Sequence, residues 1–125
     1  LSEYSSPIEV VDDYIDAYNA FDVDRIGRLL ADDIYLTHKN RGFLTEGKDP
    51  VIELYRGTPS VIPDRALVDR TMVTTDGTRV IVQHTFTGTP TVDLTFGPAG
   101  EKFSIFLATV FTIEDGKVTK YEDYG

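Results

Sequence analysis

Cysteine and tryptophan are absent from this chain of 125 residues, methionine occurs once and histidine twice. Without cysteine there is no disulfide, no thiolate nucleophile and no Cys-ligated zinc. Two histidines, His38 and His84, cannot supply a three-His metal site within one chain, although a carboxylate-rich Mg or Ca site remains compatible. Positive charge is scarce: twelve Lys and Arg stand against twenty-one Asp and Glu, for a net charge of −9. That balance repels phosphate backbones and anionic lipid, so neither nucleic acid nor a membrane surface is an expected partner. No apolar run approaches the roughly 18 residues a spanning helix needs. Gly-rich phosphate loops, Gly-x-Ser-x-Gly elbows and His-Glu-x-x-His patterns are also missing. Nucleotide-dependent transfer, serine hydrolysis and zincin chemistry are therefore disfavoured, and no cofactor or metal is expected. The sequence begins at Leu1 with no charged, apolar and small signal pattern, so a cytoplasmic location is the expectation. The length fits one domain over 1–125.

What is present reads as helices first and strands afterwards. Ser6-Pro7-Ile8-Glu9 has the form of a capping box with proline at the first helical position. Ile8, Val11, Tyr14, Ile15 and Tyr18 then fall within a stripe of roughly 120°, with Asp12, Asp13, Asp16 and Asn19 on the other side. Asp22 can cap a second, shorter helix carrying Ile26, Leu29 and Leu30, and residues 33–38 look extended. Asp49-Pro50 starts a third helix on Val51, Leu54 and Tyr55, with Gly57 placed to end it and 39–48 left as a loop. Asp76-Gly77 and Asp115-Gly116 are hairpin signals, and Gly97-Pro98-Ala99-Gly100 marks another turn. Strands are expected near 65–75, 78–89, 101–113 and 117–124, with a short strand or irregular loop at 91–96. The class is α+β, with the helices covering one face of an antiparallel sheet.

Four stretches, taken in order, resemble a known superfamily: YIDAYNAFDVDRIGRLLADDIYL, GKDPVIELYRG, VIVQHTFTGT and DGKVTKYEDY. They are similar to the nuclear transport factor 2-like fold, nearest to SnoaL-like polyketide cyclases and ketosteroid-isomerase-like proteins. The resemblance spans roughly 7 to 124. It implies a cone: three N-terminal helices packed on the concave face of a strongly curved, mainly antiparallel sheet, with an apolar pocket between. It implies no single activity, because this fold carries many.

Ketosteroid isomerases use a first-helix Tyr and a protonated Asp as an oxyanion hole and a second Asp as base. By that resemblance Tyr14 falls on the oxyanion Tyr, His38 replaces the base Asp, and Thr109 replaces the protonated Asp. His38 still suits the task, since an unperturbed imidazole titrates near neutral pH. Asp123 matches a carboxylate that serves SnoaL-like cyclases as general acid and base. Their Gly-Thr-His signature reads Gly88-Thr89-Pro90 here, a departure from the cyclase pattern. Alternation along the strands puts Val82, His84 and Phe86 on one face, which the resemblance turns toward the pocket. Tyr121 shares a face with Asp123, and Tyr18, Leu54, Tyr55 and Leu107 complete the expected ligand-binding wall.

The expected activity is proton transfer next to a carbonyl in a small apolar or polycyclic ligand, of isomerase, cyclase or dehydratase type. Tyr14, His38 and Asp123 would be the acting groups, with His38 and Asp123 near one another at the mouth of the cone. The alternative is a non-catalytic binding or dimeric assembly module of the same fold. Epoxide hydrolysis would need an Asp-Arg-Asp arrangement, for which Arg70 and Arg79 are the candidate arginines. A homodimer is expected through the outer face of the sheet, where Ile81, Thr85 and Thr87 alternate away from the pocket set.

Overall fold

A computed structural model describes residues 6–39 and 42–125. Helix α1 (Pro7–Asn19) starts where Ser6 Oγ accepts the Glu9 amide at 3.4 Å, and it buries Val10, Val11, Tyr14, Ile15, Ala17 and Tyr18. Phe21 turns the chain at φ 58°, and the Asp22 carboxylate caps α2 (Val23–Leu29) by accepting the Arg25 amide at 3.1 Å. Strand β1 (Leu30–His38) follows at once, beginning three residues earlier than the sequence indicates. The segment expected to be a loop contains an edge strand, β2 (Phe43–Glu46), paired antiparallel to β1 from Tyr35–Glu46 to His38–Phe43.

Helix α3 (Lys48–Val61) also departs from expectation, running through Gly57 and Pro59. Pro59 lacks the amide that would bond the Tyr55 carbonyl, and the Thr58 hydroxyl donates to that carbonyl instead, at 3.0 Å. Ser60 similarly donates to the Gly57 carbonyl at 2.8 Å. These side-chain bonds let the helix add another turn.

The remaining strands are β3 (Ala66–Thr74), β4 (Arg79–Gly88), β5 (Phe103–Glu114) and β6 (Lys117–Tyr124). The six-stranded order is β2-β1-β6-β5-β4-β3, with β1–β6 parallel and the other pairs antiparallel. The β5–β6 hairpin closes on Asp115 and Gly116 at φ 52° and 73°, the left-handed pair a two-residue hairpin needs. A register shift in β3 between Val68 and Thr71, with Asp69 at φ 58°, adds local bend. The result is three helices on one face of a curved, mixed, open sheet. Ile34, Leu36, Val80, Val82, Leu107, Phe111 and Val118 of the sheet meet Val11, Tyr14, Ile15, Ile26 and Val51 of the helices in the core. No helix is long and apolar enough to cross a membrane among the described residues.

Candidate functional site

Beside that core, helix α3 and the sheet diverge around a cavity of about 680 Å³. The sheet side is formed by Leu36 and His38 of β1, Tyr121 and Asp123 of β6, Leu107 of β5, Phe86 of β4 and Leu67 of β3. The helix side is formed by Tyr18 of α1 and by Leu54, Tyr55, Thr58 and Val61 of α3. Residues 54, 55, 58 and 61 continue one helical stripe, so the cavity wall extends into the turn that the sequence had assigned to the helix end. Leu94, Thr95 and Phe96 cover the β4 side from the irregular 89–102 loop. Phe96 packs edge-on to Phe103, and Phe103 edge-on to Phe86, with centroids 5.0 and 5.1 Å apart.

The wall is largely apolar; besides the tyrosines, Glu53 and Thr58 of α3 and Thr95 of the loop, its polar groups are those at the β1–β6 end. Parallel pairing of β1 and β6 puts His38 directly beside Asp123, and His38 Nδ1 lies 2.9 Å from Asp123 Oδ2. Asp123 is buried, with its side chain 2% exposed, whereas the His38 side chain is 24% exposed. A carboxylate only accepts, so Asp123 holds His38 with Nδ1 protonated and leaves Nε2 basic. The imidazole is also steadied by Phe43 and Tyr121, whose ring centroids lie 5.4 and 6.3 Å away.

The tyrosines divide into those on the cavity wall and one behind it. Tyr55 is on the wall, and its hydroxyl is hydrogen-bonded to that of Tyr14. Tyr14 is fully buried in the core and does not reach the cavity, contrary to the expected placement of its hydroxyl. Burial raises both phenol pKa values above the ordinary range; for Tyr55 the bond to Tyr14 partly opposes the rise. Burial, followed by the nearby Asp123 charge, does the same to Tyr121. All three phenols therefore remain neutral donors at physiological pH.

Val82, His84 and Thr109 were also expected to face the pocket, but they lie beneath its wall. That part of β4 and β5 packs into the core, and of the pocket residues expected on these two strands only Phe86 and Leu107 reach the cavity. His84 is fully buried; its Nε2 lies 2.9 Å from the Thr109 hydroxyl, and its Nδ1 has no hydrogen-bond partner among the described residues. Desolvation lowers its pKa to about 4 despite the opposing field of Asp123, so it is neutral near pH 7. Neither candidate arginine for epoxide chemistry joins Asp123: Arg70 pairs with Asp16 and Asp12, and Arg79 with Asp76.

Phe43 escapes a reading that expects a loop over 39–48, although Phe43-Leu44-Thr45 carries β-forming residues. Thr58 and Val61 escape it too, although the continued apolar spacing from Leu54 could have revealed them. No cluster of three or more His, Cys, Asp or Glu suited to a metal ion occurs among the described residues.

Solved structures with the same arrangement include a provisionally assigned polyketide cyclase from Pseudomonas putida. It superposes with a TM-score of 0.84 at 22% identity over 98% of this chain and 92% of that one. A similarly assigned protein from Xanthomonas campestris gives 0.82 at 23% identity, over 94% and 88%. A Catenulispora acidiphila protein described with a ketosteroid isomerase-like fold, in complex with trimethylamine, gives 0.80 at 18% identity, over 97% and 87%. No curated protein matches the sequence. At these identities the neighbours establish the fold alone. The SnoaL-like domain family matches residues 11–121, nearly the whole chain, and the protein belongs to that family within the nuclear transport factor 2-like superfamily.

Proposed function

We propose that the protein is a cofactor-independent enzyme moving a proton next to a carbonyl in a small apolar ligand, as an isomerase, cyclase or dehydratase does. The observation that carries this reading is the His38–Asp123 pair in the wall of a largely apolar cavity. His38, oriented by Asp123, acts as base through Nε2, and the same group returns the proton to another atom of the ligand. Tyr55 belongs to the helix side of the same cavity. With Tyr14 donating to the Tyr55 oxygen, the Tyr55 proton is available to a developing enolate oxygen. Tyr14 thereby acts through Tyr55.

The test is α-proton exchange into deuterated water, followed by NMR over a panel of cyclic and polycyclic ketones. Exchange by the wild type, slowed about 10²-fold or more by His38→Gln, is the expected result. Asp123→Asn and Tyr55→Phe should also slow it. Ketones that bind without exchanging would leave the binding-module reading, which the departures at Thr109 and Pro90 favour.

The same proposal includes a homodimer through the outer sheet face. Val68, Thr85 and Phe106 lie side by side across β3, β4 and β5, and Phe106 is 67% exposed. Sedimentation at micromolar concentration should give twice the 14.0 kDa chain mass, reverting to the monomer in Phe106→Lys. A wild-type monomer overturns the assembly.

A further inference from the structure

Behind the cavity wall lies a charged group that proton transfer does not use. Arg65, just before β3, is 2% exposed, yet no carboxylate pairs with it among the described residues. Its Nε donates to the Thr58 hydroxyl at 2.7 Å and its Nη1 to the Tyr18 carbonyl at 2.6 Å. Nη2 is buried without a hydrogen-bond partner among the described residues. The guanidinium is stacked on the rings of Tyr18 and Phe21, 3.7 and 4.2 Å from their centroids. By contrast, Arg25, Arg56, Arg70 and Arg79 each have a carboxylate and are far more exposed.

A buried cation without a counter-charge is costly, and an aromatic sandwich offsets only part of that cost. Tyr18 and Thr58, which hold the guanidinium, are both cavity-wall residues. The uncompensated charge therefore acts on the cavity through two side chains rather than through water, where its field persists. The field already reaches the wall: Arg65 favours the ionised form of the Tyr55 hydroxyl, while Asp123 disfavours it. Arg65 leads into β3 and Asp123 lies on β6, with β5 and β4 between. The two groups thus belong to opposite sides of the strands that line the cavity.

We propose that the cavity takes a ligand carrying a carboxylate or a comparable monoanion, its charge drawn by Arg65 behind Tyr18 and Thr58 to the end remote from His38 and Asp123. The apolar body then spans Leu107 and Phe86, and the reacting carbon sits at the His38 end. This assignment rests on reading the cavity as a small-molecule site. It sets ligand orientation, because the reverse placement brings two carboxylates together at Asp123.

The test compares naphthalene-2-carboxylate with its neutral isostere 2-acetylnaphthalene by calorimetric titration at pH 7.5. The net charge of −9 opposes anion binding, so a preference for the carboxylate reports a local cation. The wild type should bind the carboxylate about tenfold more tightly than the ketone, still so in high salt. The ratio should fall to about one in Arg65→Met and be partly kept in Arg65→Lys. Should Arg65→Met not fold, the wild-type ratio and the Arg65→Lys variant decide. A wild-type ratio of one or below overturns the assignment, as does a ratio unchanged in Arg65→Met. Binding of the ketone without preference removes the anion but leaves the ligand cavity standing; binding of neither removes both.

Discussion

His38 and Asp123 are register partners on parallel strands β1 and β6, and the imidazole Nδ1 lies 2.9 Å from the carboxylate Oδ2. A residue on either strand shifted by one would point to the opposite face, so the pairing depends on this register. Neutral His38 should therefore exist as the Nδ1-protonated tautomer. Long-range proton–nitrogen NMR should show that pattern in the wild type and a mixture of tautomers in Asp123→Asn. An unchanged tautomer in Asp123→Asn would separate the two residues functionally.

The Tyr14–Tyr55 hydroxyl pair should behave as a coupled unit. In a double-mutant cycle with Tyr14→Phe and Tyr55→Phe, urea unfolding should give a coupling of about 0.5–1.5 kcal/mol. Additive single effects would show that the hydrogen bond contributes nothing to the fold.

Alkaline pH should destabilise the protein through its buried phenols. Tyr14, Tyr55 and Tyr121 have folded-state pKa values raised by burial, so the unfolded chain loses these protons first. Their contribution is complete below the unfolded value of about 10 and is lost as pH rises through the folded values. Phenolate absorbance for these three should appear together with loss of circular dichroism. Smooth ionisation while the fold persists would contradict their burial.

Acid should act through His84. Its folded pKa of about 4 lies below the ordinary histidine value, so the unfolded chain binds the proton first as pH falls. The resulting stability is present above about pH 6.5 and declines toward pH 4, by about 2–3 kcal/mol. His84→Leu should remove that part of the pH dependence in denaturant titrations, whatever its effect on stability at pH 7. The same slope in both proteins would assign the decline to other groups.

Gly88 should be intolerant of a side chain for a reason of space. A Cβ there would collide with Ile62 Cγ2, which shapes the cavity wall. Gly88→Ala should cost about 1–3 kcal/mol, with part restored by adding Ile62→Ala. Strict additivity of the two costs would rule out this contact.

Local sequence determined much of the framework. The Tyr14–Tyr18 stripe, the Asp22 cap and the Asp115-Gly116 turn act over a few residues, where periodicity and backbone preference suffice. Alternation similarly marked β4, β5 and β6 to within about two residues. Tertiary structure decided the rest. Edge strand β2 exists because β1 offers it a partner, and α3 passes Pro59 because Thr58 takes over the freed carbonyl. The resemblance proposed Tyr14, His38 and Asp123 as acting groups, but only packing put Tyr55 between Tyr14 and the cavity. His84 and Phe86 alternate identically in sequence, yet one packs into the core and the other stands on the wall. In the sequence Arg65 is only the first residue of the strand expected near 65–75; its missing counter-charge is a property of everything folded around it. Side-chain direction follows from the local backbone, whereas what a side chain meets depends on elements far away in the chain.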